Sequence, residues 1–322
     1  MGLKRKIALP TVQNVVAGKT ALLQLPLNYR YHSIHLVCTA FPTTSGKKIT
    51  NLPTGAAGTA WINDIRVRMN GRIQRTHTAD ELNRLNSVNG SIYAAVIVPK
   101  ASTNDCDYGQ VLPIFFAEPW REDQPQKEFG AIPAQRLTDF ALEIDLGTPL
   151  DDASTPAAST PTITAYAIVD TGDQPGANNN GLIVGKVFRL SLAASTGTSV
   201  VIDVPNLDRR DLYQAIHVDL SGGVVATPNA TKLSTIRAVL KSSGLTISET
   251  PQDVEKAIGA QYGLNSTRQF DASIVFDLDD PIQSGLNANG LPDLQLRIES
   301  GNVASGSTAT WKVIQERMGP PE

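Results

Sequence analysis

The sequence predicts an all-β protein of two tandem eight-stranded jelly rolls (a double jelly roll), each with one short α-helix inserted. Three observations predict it. Short runs rich in Val, Ile and Thr alternate apolar with polar residues, punctuated by 25 Gly and 20 Pro, as many short strands joined by turns require. The pattern of the first half returns, in the same order, in the second. Each half also carries about eight strand signals and one helix signal. An immunoglobulin-like sandwich has fewer strands and seldom a helix at this place.

Composition narrows the function. The 322 residues leave room for two domains, and 41% hydrophobic with 18% charged residues is globular. A net charge of −3 gives no basic surplus for nucleic acid. No apolar run approaches the ~20 residues of a membrane helix. The basic start, Met-Gly-Leu-Lys-Arg-Lys, lacks the apolar segment of a signal peptide. Synthesis in a reducing compartment is therefore expected. Two cysteines, Cys38 and Cys106, make no disulfide framework. Cys38 lies in an apolar strand and reads as a buried thiol.

The elements follow in order. Residues 6–16 read as a strand, then 21–27 and 31–40, before a Gly-, Pro-, Thr- and Lys-rich loop over 41–60. Residues 61–90 organise the first half. Ile65, Val67 and Met69 alternate with Arg66 and Arg68, the period of a half-buried strand. Asn70-Gly71 is a hairpin turn, because both residues tolerate positive φ. A strict two-residue turn sets Ile73 opposite Arg68, on the polar face. A three-residue loop with a bulge at Gly71 pairs Ile73 with Val67 and is the preferred register. Thr78 and Glu81 form a capping box, and Gly90 closes the helix. Residues 92–98 read as a buried strand and 111–116 as another, stopped by Glu118-Pro119-Trp120. Residues 137–146 and 162–169 alternate, with 147–161 looping out between them. Residues 171–180, TGDQPGANNN, are polar and aperiodic. The domains are therefore 1–171 and 182–322, joined by a linker over 172–181.

The repeat rests on collinear matches. Lys6-Ile7 returns as Lys186-Val187. Gly18, Ala21, Leu23, Leu25 and Pro26 return as Gly197, Val200, Ile202, Val204 and Pro205, all 179 apart. Tyr31 to Leu36 returns as Tyr213 to Val218, 182 apart. Ile65-Arg66 returns as Ile236-Arg237. A second helix follows, with Thr250 as its N-cap, Pro251 at the first helical position, Val254, Ala257, Ile258 and Tyr262 on one face, and Gly263 as its stop. Leu142-Glu143 returns as Leu296-Arg297, and Tyr166 to Val169 as Trp311 to Ile314.

Motifs of catalysis fail on inspection. Gly18-Lys19-Thr20 resembles the end of a phosphate loop, but position 13 is Gln and a strand follows instead of a helix. Gly185-Lys186 fails likewise. Of four histidines, His32 and His35 point to opposite strand faces, and His35 and His217 occupy matched places, as structural residues do. No enzyme or cofactor is expected. Asp105 and Asp107, and Asp277, Asp279 and Asp280, are the candidates for a structural calcium, set against ordinary solvated turns. Arg66, Arg68, Arg72 and Arg75 put four cations on one hairpin. They are candidates for a subunit contact, against a solvated polar face. Lys4, Arg5 and Lys6 are candidates for a membrane-facing cluster, against a frayed terminus.

Several segments carry a resemblance: Ile7-Ala8-Leu9-Pro10, Leu23-Gln24-Leu25-Pro26, the hairpin from Ile65 to Gly71, the helix that follows it, and Leu112 to Trp120. Together they resemble the N-terminal domain of corticovirus-type major coat proteins, from phages with an internal membrane. The resemblance spans most of residues 5–146, and the second half shares the architecture. It implies a structural protein: the major capsid protein of an icosahedral bacteriophage, a double jelly roll assembling as pseudo-hexagonal homotrimers. Implied partners are neighbouring trimers, penton and other minor capsid proteins and the internal membrane, without sequence-specific nucleic acid. Implied localisation is the virion capsid, after synthesis and assembly in the host cytoplasm. The loops 41–60, 99–110, 121–135 and 147–161 are candidates for exposed towers or contacts between trimers. The alternative is a two-domain jelly-roll protein binding carbohydrate or a receptor. It asks for an aromatic-lined groove, where aromatics are 6% and unclustered.

Overall fold

The computed structural model describes residues 3–44, 46–54, 60–99, 108–172, 182–192, 200–221, 236–262, 264, 270, 272–276, 285–300 and 310–321. The chain divides into two compact units. The first holds Met1–Ser87, Ser91–Gly185 and Pro320–Glu322, and the second Val88–Gly90 and Lys186–Gly319.

The first unit is built from β1 (Arg5–Ala8), β2 (Thr20–Gln24), β3 (Arg30–Pro42), β4 (Ile62–Met69), β5 (Arg72–His77), α1 (Ala79–Val88), β6 (Val96–Pro99), β7 (Tyr108–Phe115), α2 (Gln124–Phe129), β8 (Ile132–Pro133), β9 (Phe140–Leu146) and β10 (Ser159–Asp170). One sheet runs β1-β10-β3-β7-β6, with β8 also on β3. The other runs β5-β4-β9-β2. Neighbouring strands pair antiparallel, as expected where strands present one face to a core and one to water. Ile34, Leu36 and Cys38 of β3 meet Ile65, Val67 and Met69 of β4 and Leu142 and Ile144 of β9 in one fully buried cluster. Cys38 is buried, and burial pushes its thiol up to about 12.

The second unit is built from β11 (Val184–Ser191, whose first two residues belong to the first unit), β12 (Val200–Val204), β13 (Leu212–Ser221), β14 (Ile236–Ser242), β15 (Leu245–Pro251), α3 (Gln252–Gln261), β16 (Ala272–Val275), β17 (Leu286–Asn287), β18 (Gln295–Ser300) and β19 (Thr310–Gly319). Its sheets run β16-β13-β19-β11 and β12-β18-β14-β15. These orders repeat β7-β3-β10-β1 and β2-β9-β4-β5. A separate core of Ile216, Val218, Leu240, Leu296, Ile298 and Trp311 fills it.

The likeness reaches single hydrogen bonds. Tyr31 Oη donates to the carbonyl of Pro26 at 2.8 Å, and Tyr213 Oη to that of Asp208 at 2.6 Å, each reaching five residues back. A bulge skips His32 between β3 and β10, and Gln214 between β13 and β19. A short 3-10 turn follows β8 at Ala134–Arg136 and β17 at Ala288–Gly290.

Four expectations are corrected. The first strand ends at Ala8: Leu9 N–H makes one more bond, to the Ala165 carbonyl, Pro10 then removes a ladder donor, and Gln13 bridges to Leu22 further on. The hairpin takes the strict two-residue turn, with Asn70 at φ 52° and Gly71 at φ 77°. Arg68 therefore faces Ile73, which is exposed, and the bulge lies further on, between Val67 and Arg68. The twist of this turn suits the strands, and the bulge restores the inward alternation. Residues 92–98 are no buried strand. Ser91–Tyr93 is a 3-10 turn, and β6 is an edge strand with Val96, Ile97 and Val98 exposed. The second helix begins at Gln252, one residue late, because β15 holds Thr250 and Pro251 extended. Its stop at Gly263, most of the linker and both acidic clusters lie outside the described residues.

Candidate functional site

The hairpin arginines are placed by the sheet. Arg66 stands opposite Glu143, and Arg68 opposite Ala141. Period 2 puts them on the polar face of β4, beside the acidic face of β9. Arg66 pairs with Asp64, Glu143 and Asp145, and Arg68 with Asp139 at 3.1 Å and Glu143 at 2.9 Å. Arg75 is buried. It donates from Nε to the carbonyl of Gly185 at 2.8 Å and from Nη1 to that of Phe115 at 2.7 Å, over the ring of Phe116. Three of the four cations are thus engaged within their own unit, while Arg72 projects into solvent at the turn.

The N-terminal cations are also anchored. Lys4 Nζ lies 3.0 Å from Glu128 of α2, and Arg5 sits 5.5 Å over the ring of Tyr29. Lys6 is exposed. Glu128 in turn bonds Arg30, which sequence reasoning missed. Arg30, buried at the start of β3, makes a bidentate pair with Asp170 at 2.9 and 2.6 Å, and reaches Glu128 at 2.7 Å. His32 Nε2 lies 3.0 Å from Asp170, and its Nδ1 is buried without a hydrogen-bond partner. Burial raises the Asp170 carboxyl, but hydrogen bonds from Arg30, His32 and the Gly172 N–H outweigh it and hold the group down at about 2. Burial drives His32 below its ordinary value despite Asp170. The signal the sequence offers is an arginine between two tyrosines at the head of a strand.

The second unit buries a similar network. Lys186 Nζ lies 3.0 Å from Asp211, and Arg317 bridges Asp211 and Asp208 beneath the ring of Phe188. Among the described residues, no three His, Cys, Asp or Glu side chains gather as a metal site. His35 bonds Ser33, and His217 bonds Ser273 while stacking on Phe270 at 4.5 Å.

The unmatched surfaces are apolar. In the first unit Ile92 is 80% exposed beside β6. In the second, Leu245 and Ile247 of β15 and Val254 and Ile258 of α3 are exposed, along with Tyr262. The described surface thus offers buried ion pairs that lock strands together and bare apolar edges that want covering.

Paired jelly rolls with internal ion locks and open edges define a structural subunit that packs against other chains. Comparison with known proteins gives the class a family. The family described as Viral coat protein P2 N-terminal domain matches residues 6–170, and the chain belongs to it: it is a viral coat protein, not an enzyme. Among solved structures, the chain is similar to the major capsid protein P2 of Bacteriophage PM2, with a TM-score of 0.67 at 18% identity, covering 98% of this chain and 97% of that one. It is similar to a chain of Sulfolobus Turreted Icosahedral Virus, with a TM-score of 0.67 at 12% identity, covering 98% and 91%. It is also similar to the PBCV-1 virus capsid, with a TM-score of 0.62 at 10% identity, covering 98% and 93%. At such identities these likenesses establish the shared fold. No curated protein matches the sequence.

Proposed function

We propose that this coat protein is the major capsid subunit of an icosahedral phage, assembling as a homotrimer that fills a pseudo-hexagonal position. The observation that carries the reading is the duplication. Two units with the same sheet orders, bulge and tyrosine hydrogen bond give three chains six similar edges. A ring of six similar units tiles a shell from one kind of chain. Residues 46–54 and 147–157 are tied to each other by Thr50 N–H to the Leu150 carbonyl and Leu150 N–H to Asn51 Oδ1, which braces the two loops over the buried Ile49. Penton and minor proteins are the further partners, and host cytoplasm the site of synthesis. An internal membrane beneath the shell is the surface for which Lys6 and its neighbours are suited.

Sedimentation of the purified chain tests it. The expected particle is three times 34.4 kDa, or a shell built from it. A chain that stays monomeric at high concentration overturns the reading. Flotation with anionic vesicles tests the membrane contact, with loss of binding expected for Lys6→Glu.

A further inference from the structure

Each unit has an edge formed by the last strand of its hairpin and the helix after it. In the first unit, Val184 and Gly185 lie against this edge. Arg75 of β5 donates to the Gly185 carbonyl, and a Cβ on Gly185 would come within 2.5 Å of Arg75 Nη2. Val184 is fully buried in the cluster that contains Ala79 and Leu82 of α1. Gln74, Glu81 and Leu85 are buried there as well.

Among the described residues, the second unit repeats the edge without the cover. Turn and helix recur 173 residues on (243−70 and 252−79). Gln74, Glu81 and Leu85 therefore correspond to Ile247, Val254 and Ile258. These are 37%, 45% and 37% exposed. Apolar residues stand bare where the first unit buries two polar ones. Solvent-facing positions normally show the opposite change.

The duplication also says what belongs there. Val169 and Arg317 both lie opposite the repeated tyrosine, 148 apart, so Trp311 corresponds to Ile163. Leu192 N–H donates to the Trp311 carbonyl at 2.8 Å. By the register of β1 on β10, Thr11 would stand opposite Ile163. The spacing is 181 (192−11), and Val184 and Gly185 correspond to Leu3 and Lys4. Leu3 is apolar and 89% exposed. The contact sizes also invert: Arg75 against Gly185 becomes Ser248 against Lys4.

We propose that residues 3–8 of one copy add as a strand to the β15–α3 edge of the next copy. This rests on the trimer proposed above and names its contact. The two surfaces differ, so the contact is head-to-tail and closes a ring. Strand addition also satisfies an open backbone edge. In β1 the hydrogen-bonded pairs with β10 fall on Arg5, Ile7 and Leu9, since Leu9 N–H donates to Ala165. The N–H groups of Lys6 and Ala8 thus point outward.

The test uses the full chain. Lys6→Pro removes one outward donor and leaves the β1–β10 ladder intact, while Ile247→Lys charges the opposite face. Each should raise the concentration at which the trimer half-dissociates by about tenfold or more, with an unchanged circular dichroism spectrum. On a Cys106→Ser background, copies carrying Leu3→Cys mixed with copies carrying Val254→Cys should be joined by a short thiol crosslinker. If both variants stay trimeric and the mixture yields no linked pair, the contact is wrong and the trimer stands. If the parent chain is monomeric, the trimer reading and this contact fall together.

Discussion

Arg30 holds two strand ends, the start of β3 and the end of β10, to α2 with one guanidinium, flanked by Asp170 and Glu128. All three groups are out of water, so removing one leaves uncompensated buried charge. Arg30→Leu should destabilise the first unit by about 3–5 kcal/mol, measured by urea unfolding. The pH dependence follows from the same residues. Asp170 is held down at about 2 in the fold against an ordinary 3.8, so its stabilisation is full above about pH 4 and fades as pH falls towards 2. His32 is held below 6.5, so the unfolded chain takes up a proton first as pH drops below 6.5. Both act in one direction. The melting temperature should fall steadily from pH 7 to pH 3 by calorimetry, and His32→Asn should flatten the part above pH 4. Cys38, buried with its thiol pushed up to about 12, should resist alkylation until the chain unfolds, as mass spectrometry of that peptide will read.

The hairpins and helices are where local chemistry is strictest. Gly71 and Gly244 sit at φ 77° and 78°, and an added Cβ there meets no atom but does meet backbone strain. Gly71→Ala should cost about 1–2 kcal/mol, read from the urea midpoint. The capping box is intact: Thr78 N–H donates to Glu81 Oε2 at 2.9 Å, and Glu81 N–H to Thr78 Oγ1 at 3.0 Å. Thr78→Ala should cost about 1 kcal/mol. These local devices were legible in the sequence because each is a short pattern with one physical cause. Register was less so. The match of Ile65 with Ile236 was 171, where turn and helix give 173. Leu23 with Ile202 was 179, where partners Leu142 and Leu296 set 181. A slip of two keeps every side chain on its face and leaves no trace in the alternation. The match of Tyr166 with Trp311 was three short of 148, an odd slip, and the structure exposes Tyr166 while burying Trp311. Arg30, Glu128 and Asp170 were not legible, because their meeting depends on three distant elements.

Across the whole molecule, apolar edges stand out. β6 ends its sheet with Val96, Ile97 and Val98 all exposed and no charge among them. Natural edge strands are blunted by charge, bulges, Pro or shortness; β6 is four residues long and ends at Pro99, and its three apolar side chains are exposed among the described residues. Ile97→Lys should lower light scattering of the concentrated chain, while shifting stability by no more than about 0.5 kcal/mol. The arginine ladder on β4 has the opposite character. Its charges are satisfied within the same sheet, mainly by β9, and Arg72 is the hairpin cation left exposed.

The interval of 173 residues holds from the turn at Asn70 to the end of α1 at Val88, matched at Ser243 and Gln261. Elsewhere the spacing drifts between 182 and 148. The two units differ in the lengths of their connecting loops, and no net length difference falls in this stretch. One extra residue there would turn the helix by about 100° or exchange the faces of β5. The stretch thus works as a fixed ruler, against which the length differences of the other loops can be measured.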